Sequence, residues 1–355
     1  MSSNPWLSPS GDFAFGFQQL QSNNNNDHLV FVLSIWFAKI LPKTIVWFER
    51  SSYPVPLGST LLLDADKGLV LRDPHGRLLL KTPHLASRVA YASMTDTGNF
   101  VLFGKDSNTP LWQSFENPSD TILPSQKLDI NGSTTLVSRK SETDFSYGRF
   151  YAGMNAAGNF VLETKSVRTN LDSDYEYYNS DPNSGDFLVI DENHPSISIK
   201  IDNNSEWVYV GSLPDHNICL DIYGDTGSGA CGYNNVCNLV NWRPVCRCPK
   251  GFTLVDPSNP YGDCRPKCSG NSCTQGGPED YKLVEISNVD WPKNDYEQIK
   301  PSTVGECRDA CIRDEFCGAA IFRSLSCWKK RLPLSNGRNE TALGSKAFLK
   351  VRKNC

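Results

Sequence analysis

The thirteen cysteines have the most chemistry to offer, and all of them lie between Cys219 and Cys355. Thiols at that density make either a disulfide scaffold in an oxidising compartment or metal centres. Structural zinc asks for closely spaced Cys or His pairs. No Cys-x-x-Cys occurs, and the five histidines (His28, His75, His84, His194 and His216) all precede Cys219. The spacing points to disulfides and to no metal. Asn-x-Ser/Thr sequons at Asn131, Asn203 and Asn339 are N-glycosylation acceptors suited to the same compartment. Asp172, Asp174 and Glu176 lack the Gly and terminal Glu of a calcium loop and read as a solvated acidic segment. Gly227-Ser228-Gly229-Ala230-Cys231-Gly232 satisfies G-x-G-x-x-G, but a nucleotide turn needs a strand before it and a helix after it. Here the glycines stand between cysteines, so a turn is expected. No G-x-S-x-G elbow, H-E-x-x-H motif or H-R-D plus D-F-G pair is present, and neither enzyme activity nor a cofactor is expected.

Net charge is -4, which argues against a nucleic-acid partner. The longest apolar run, Leu29 to Ala38, is interrupted by Ser34 and stopped by Lys39. A spanning helix needs about 20 apolar residues, so no membrane span is expected. The opening MSSNPWLSPSGDF has neither the basic nor the apolar region of a secretory signal, and an incomplete gene product is the expectation.

The elements that must position any site come from a repeat. SPSGDFAFGF (8–17), LDADKGLVLRD (63–73), MTDTGNFVLFG (94–104) and MNAAGNFVLET (154–164) each place a Gly-containing turn before alternating apolar residues. That is a hairpin signal. Short β-leaning stretches at 30–37, 44–48, 77–81 and 134–139 lie between the repeats, and 187–190, 197–201 and 206–210 follow them. No stretch before the cysteines supports a long amphipathic helix. Repeated short strands predict a prism or barrel of similar sheets. Trp6, Trp36, Trp47 and Trp112 are expected in its core.

WLSPSGDFAFGF, DTGNFVLF and LWQSFENPSDTILPSQKL resemble the bulb-type (G-type) lectin domain, and more narrowly the ectodomains of plant S-receptor-like serine/threonine kinases. The resemblance implies a mainly β, multidomain chain: a bulb-type lectin β-prism over 1–129, a second lectin-like β domain over 130–215, an EGF-like module over 216–265 and a PAN/apple (α+β) module over 266–355. The mannose site of bulb-type lectins resembles Gln-x-Asp-x-Asn-x-Val-x-Tyr, whose alternate residues share one strand face and meet sugar hydroxyls together. Registered on Val70, the positions read Asp64, Asp66, Gly68 and Arg72; on Val101, Thr95, Thr97, Asn99 and Phe103; on Val161, Asn155, Ala157, Asn159 and Glu163. Asp96 is one residue out of register. The candidate carbohydrate-binding residues are therefore Asp66, Asn99 and Asn159. No repeat keeps the whole set, and a degenerate sugar site on a retained scaffold is expected.

ACGYNNVC with VCRCPKGF resembles the family's EGF-like module, and DWPKNDY with CWKKRLPLSNGR its PAN/apple module. The resemblance implies the pairs Cys219–Cys237, Cys231–Cys246, Cys248–Cys264, Cys307–Cys327 and Cys311–Cys317, with Cys355 returning to Cys268 or Cys273 and one cysteine left over. The segment before Cys219 offers a single carboxylate, Asp215, so no EGF calcium site is expected. Thr303-Val304-Gly305-Glu306 has capping-box spacing and predicts a helix to about Arg313, with Cys307 and Cys311 on one face. Lys329, Lys330, Arg331, Lys346, Lys350, Arg352 and Lys353 are expected on solvated strand faces.

These readings converge on an extracellular, cell-surface recognition region for a glycan, peptide or protein ligand, with homodimer or co-receptor contacts through the EGF-like and PAN modules. An active mannose lectin and a non-functional fragment are the alternatives.

Overall fold

The computed structural model describes residues 4–20, 29–82, 85–105, 109–130, 134–164, 175–180, 185–190, 197–201, 204–209, 217–221, 229–240, 243–267, 277–339 and 341–353. The chain divides into two compact units, Met1–Glu163 with Tyr178–Leu213, and Thr164–Tyr177 with Pro214–Cys355. The fold is mostly β, and among the described residues no helix is long and apolar enough to cross a membrane.

In the first unit, three antiparallel sheets share one core. One carries Trp6–Leu7, Phe13–Leu20, Val30–Phe37 and Ile45–Phe48 in that order, with Val55–Pro56 also on Val30–Phe37. The second is Thr60–Asp64, Gly68–Arg72 and Leu78–Lys81. The third runs Pro110–Gln113, Phe100–Gly104 and Val89–Met94. Phe15, Leu33, Ile35, Leu69, Phe100 and Leu102 meet between them. Apolar residues at alternate positions of each strand point inward, which is the period the repeats predict. The turn before Phe100 needs a left-handed residue, and Gly98 has φ +86°; a Cβ there would stand 2.5 Å from Leu123 Cδ1. Gly158, with φ +79°, repeats the arrangement, and its Cβ would meet the Gly185 carbonyl at 2.6 Å.

A further core within the same unit gathers Leu128, Met154, Phe160 and Leu188. Its strands include Lys127–Asp129, Leu136–Arg139, Tyr147–Met154, Phe160–Thr164 and Phe187–Ile190. Arg50 joins the two cores. Its guanidinium donates to the carbonyls of Val137 (2.7 Å), Ser138 (3.2 Å), Phe145 (3.2 Å) and Ser146 (2.8 Å), between the Phe48 and Tyr147 rings. Phe145 also packs on Val32 and Phe48.

The second unit centres on a five-stranded sheet in the order Tyr281–Ser287, Lys346–Arg352, Ala319–Arg323, Ser326–Lys330 and Asp295–Ile299. The helix Val304–Arg313 begins with the capping box: Glu306 N donates to Thr303 Oγ1, and Thr303 N to Glu306 Oε2. Its buried Cys307 and Cys311 are bonded to Cys327 and Cys317. The other described disulfides are Cys219–Cys237, Cys231–Cys246 and Cys248–Cys264. Cys268, Cys273 and Cys355 lie outside the described residues. Arg243–Arg247 and Val236–Val240 form one sheet with Arg338–Asn339 and Val289–Asp290. Val236, Phe252 and Cys264 share a core with Trp291, Ile321, Leu334 and Leu349. The small cysteine-rich segment therefore borrows apolar cover from its neighbour besides its crosslinks.

The lysines of Ser326–Lys330 differ from the solvated faces expected of them. Lys329 and Lys330 are both buried. Adjacent residues of a strand point to opposite faces, and both faces of this sheet are covered. Lys329 reaches Asp314 at the helix C-cap (2.6 Å) and Glu297 (2.5 Å), while Lys330 turns towards Asp290 and Asp295.

Candidate functional site

The three repeat turns are where sugar hydroxyls would be met, and most of their polar groups are bonded within the protein. Asn99 is buried; its Nδ2 donates to Gln113 Oε1 (2.8 Å), and its Oδ1 accepts from Ser114 Oγ (3.1 Å) and Phe115 N (3.2 Å). Thr95 Oγ1 is bonded to Thr97 Oγ1 and donates to the Asn99 carbonyl. In the repeat at 63–73, Asp64 Oδ1 accepts from Asp66 N and Lys67 N, and exposed Asp66 pairs with Arg88 at 2.8 Å. In the last, Asn155 Oδ1 accepts from Ala157 N and Asn159 N. Asn159 is buried.

The structure also gives the repeats a feature that the sugar register hides. Leu69, Phe100 and Phe160 each donate their backbone N–H at 2.9 Å to a buried hydroxyl from later in the chain, that of Thr82, Ser114 and Ser180. A buried N–H needs a partner, and these hydroxyls hold each turn to its neighbouring segment. Asp66, Asn99 and Asn159 lie on three separate turns and are not brought together. Of the sequons, Asn339 is exposed, while Asn131 and Asn203 lie outside the described residues, as do Asp172 and Asp174.

A groove of about 620 Å³ opens elsewhere on this unit, beside Phe13–Leu20. Trp6, Phe17, Trp36, Gln18, Gln19 and Lys43 are among its lining residues. Trp36 and Trp47 are buried as expected, but Trp6 is 42% exposed. Its ring stacks on Phe15 (5.5 Å, 9°) and Phe100 (5.4 Å, 17°), which seats it on the core. Lys43 Nζ stands 5.3 Å from the centre of the Trp36 ring. A concavity of this size, lined by aromatic and polar side chains alike, has the form of a ligand site. The sequence repeat SPSGDFAFGF stops at residue 17, and nothing in the spacing of Gln18 and Gln19 marks them as facing a groove.

The family model for "D-mannose binding lectin" matches residues 44–142. A G-type lectin S-receptor-like serine/threonine-protein kinase of Arabidopsis thaliana is 37% identical over an alignment covering 99% of this chain and 48% of that protein. Two proteins of the same description from Oryza sativa subsp. indica and subsp. japonica are each 35% identical, over 98% of this chain and 49% of theirs. The chain matches the ectodomain of the G-type lectin S-receptor-like kinase family. It spans about half the length of the curated relatives it matches. Its fold is mostly β and lectin-like, not a kinase fold.

Proposed function

We propose that this chain is an extracellular ligand-recognition region of a plant receptor-like kinase, and that the groove beside Phe13–Leu20 is its ligand-contacting surface. The ligand is a glycan, peptide or protein met at the cell surface. The observation that carries this reading is the exposed Trp6 ring, stacked on Phe15 and Phe100, beside the amides of Gln18 and Gln19. An aromatic face on a rigid floor offers contact area with little ordering cost. Asp66 and Asn99 are read as scaffold positions instead of a mannose site, because Asp66 is paired with Arg88 and the Asn99 amide is bonded to Gln113, Ser114 and Phe115; Asn159, buried on a separate turn, is read with them.

The proposal includes the four modules over 1–129, 130–215, 216–265 and 266–355. The disulfide pattern supports the EGF-like and PAN/apple identities of the last two. Exposed Asn339 fits the glycosylation reading, and contacts with a homodimer partner or co-receptor belong to the same two modules.

A glycan array and immobilised partner ectodomains test the central claim, using the chain secreted with its disulfides formed. The expected result is a ligand whose retention falls about tenfold or more in Trp6→Ala, with Asp66→Ala unchanged. Retention on mannose-agarose that free mannose releases, and that Asp66→Ala abolishes, would instead establish the mannose-lectin reading favoured by the family-model match.

A further inference from the structure

The groove beside Phe13–Leu20 is lined by strand edges as well as by aromatic rings. Residues 16–19 and 59–62 line it without a gap. Side chains of a strand alternate between its two faces, so consecutive residues reach one groove only where the strand presents its edge.

The hydrogen bonds show which backbone groups that edge offers. Phe13 N donates to Ser8 Oγ (3.2 Å) and the Phe13 carbonyl accepts from Ser8 N (2.9 Å), both away from Val30–Phe37. Opposite Phe17, the Leu33 carbonyl accepts from Glu49 N and is likewise turned away. Backbone direction alternates along an antiparallel strand, so Phe15, Phe17 and Gln19 turn their N–H and C=O to the same side as Phe13. On that side Trp6–Leu7 pairs with Phe15 and Ala14 and goes no further. Among the described residues, no strand stands opposite Phe17 and Gln19. The strand Thr60–Asp64 is open in the same way. Leu69, which faces Leu63, donates its N–H to Thr82 Oγ1 (2.9 Å) and accepts from Thr82 N (3.0 Å). Leu63 and, two residues away, Leu61 therefore turn their backbone groups out of the sheet.

Open edges are usually blunted by charge or proline. The segments 16–20 (GFQQL) and 59–63 (STLLL) contain neither. An extended chain carries N–H and C=O groups on both sides with a repeat of ~6.8 Å, two residues at about 3.4 Å each, which is the spacing of Phe17 and Gln19. A saccharide does not reproduce that donor–acceptor repeat. Lys43 is the charged residue among the described lining residues, and no carboxylate pairs with it there. A volume of about 620 Å³ holds a few extended residues and not a folded domain.

We propose that the groove takes an extended acidic peptide of a partner protein, which adds as a strand along Phe17 and Gln19, rests an apolar side chain on Trp6 and sets a carboxylate at Lys43. This rests on the groove being the ligand-contacting surface, and it narrows the ligand there to a peptide.

The test is panning of a phage library of random octapeptides on the full, disulfide-bonded chain, then calorimetric titration with the selected peptide made synthetically. Expected is one-to-one binding of a peptide containing Asp or Glu, weakened about tenfold or more in Trp6→Ala and about threefold in Lys43→Gln. Methylating the peptide's amide nitrogens one at a time abolishes binding at alternate positions only, the period of a paired strand. Gln19→Pro binds about tenfold more weakly than Gln19→Val, since both lose the side-chain amide and only the first loses the N–H. Proline is tolerated on an open edge, and the methylation scan on the parent chain decides the matter whatever the folding of that variant. The proposal is overturned by a library that yields no peptide weakened in Trp6→Ala, by a methylation scan without alternation, or by equal binding to Gln19→Pro and Gln19→Val. A glycan that Trp6→Ala weakens, with no peptide selected, overturns the peptide and keeps the groove. Ligands indifferent to Trp6→Ala overturn the groove itself.

Discussion

Asn99 shows how one side chain is assigned by its surroundings. As a sugar contact it would be dispensable for folding; as built, it secures Gln113, Ser114 and Phe115. Asn99→Ala is expected to destabilise the first unit by about 2 kcal/mol, since it takes the acceptor from the buried Ser114 hydroxyl and the partly buried Phe115 N–H. Chemical denaturation measures this, and an unchanged midpoint would restore a ligand role to Asn99. Asp314 gives the second unit a pH dependence. Burial works against its ionisation, but hydrogen bonds from Lys329 Nζ, Tyr296 Oη and Phe316 N outweigh that and hold its pKa at about 2, below the usual 3.8. A lowered carboxylate pKa contributes stability that is complete above the unfolded value and disappears as pH falls through the folded one. Melting curves of the parent and Asp314→Asn should therefore differ most from pH 5 upward. The gap should narrow below about pH 4 and close near pH 2. A gap that widens in acid would contradict the assignment.

Turns and strands carry the next level of argument. The repeat spelled out its own turns, since Gly-Asn before an apolar alternation is a local signal that needs no distant partner. Gly158→Ala should cost about 2 kcal/mol or more, combining a left-handed φ with contact on the Gly185 carbonyl. Arg50 was not legible in the same way. Its partners at 137–146 are remote in sequence, and nothing in WFERSS distinguishes a surface arginine from one donating to four carbonyls. Burial lowers its pKa, although Asp120 and two tyrosines act in the other direction. Arg50→Met is expected to destabilise the first unit by about 3 kcal/mol, because the stem's packing survives while the carbonyls lose their donors. Limited proteolysis would then cut earlier within 134–164. A variant as resistant as the parent would show the two cores to be held by other contacts.

Across the whole molecule, the cysteine partition coincides with the division into units. Every cysteine lies at or after Cys219, within the second unit, and none in the first. Calorimetry in increasing dithiothreitol should lower one transition by the several kcal/mol that disulfides typically contribute and leave the other in place. A uniform fall of the whole curve would mean that the units do not melt separately. The shared core of Val236, Phe252, Trp291 and Ile321 adds a corollary: the cysteine-rich segment around residues 229–267, expressed without residues 277–353, should fail to fold even when oxidised.

The sequence alone determined what depends on neighbours in the chain: the hairpin turns, the capped helix, the cysteine-bearing half and the resemblance to receptor ectodomains. Those features follow from backbone preferences and from alternation within a few residues. Tertiary structure decided which faces are covered. It placed Lys329 and Lys330 on opposite sides of a strand enclosed on both, and it bonded Asn99 inward. It also left Trp6 open over its aromatic floor. Each of these depends on what packs over a strand from far along the chain. Residue type and spacing do not encode that cover by themselves.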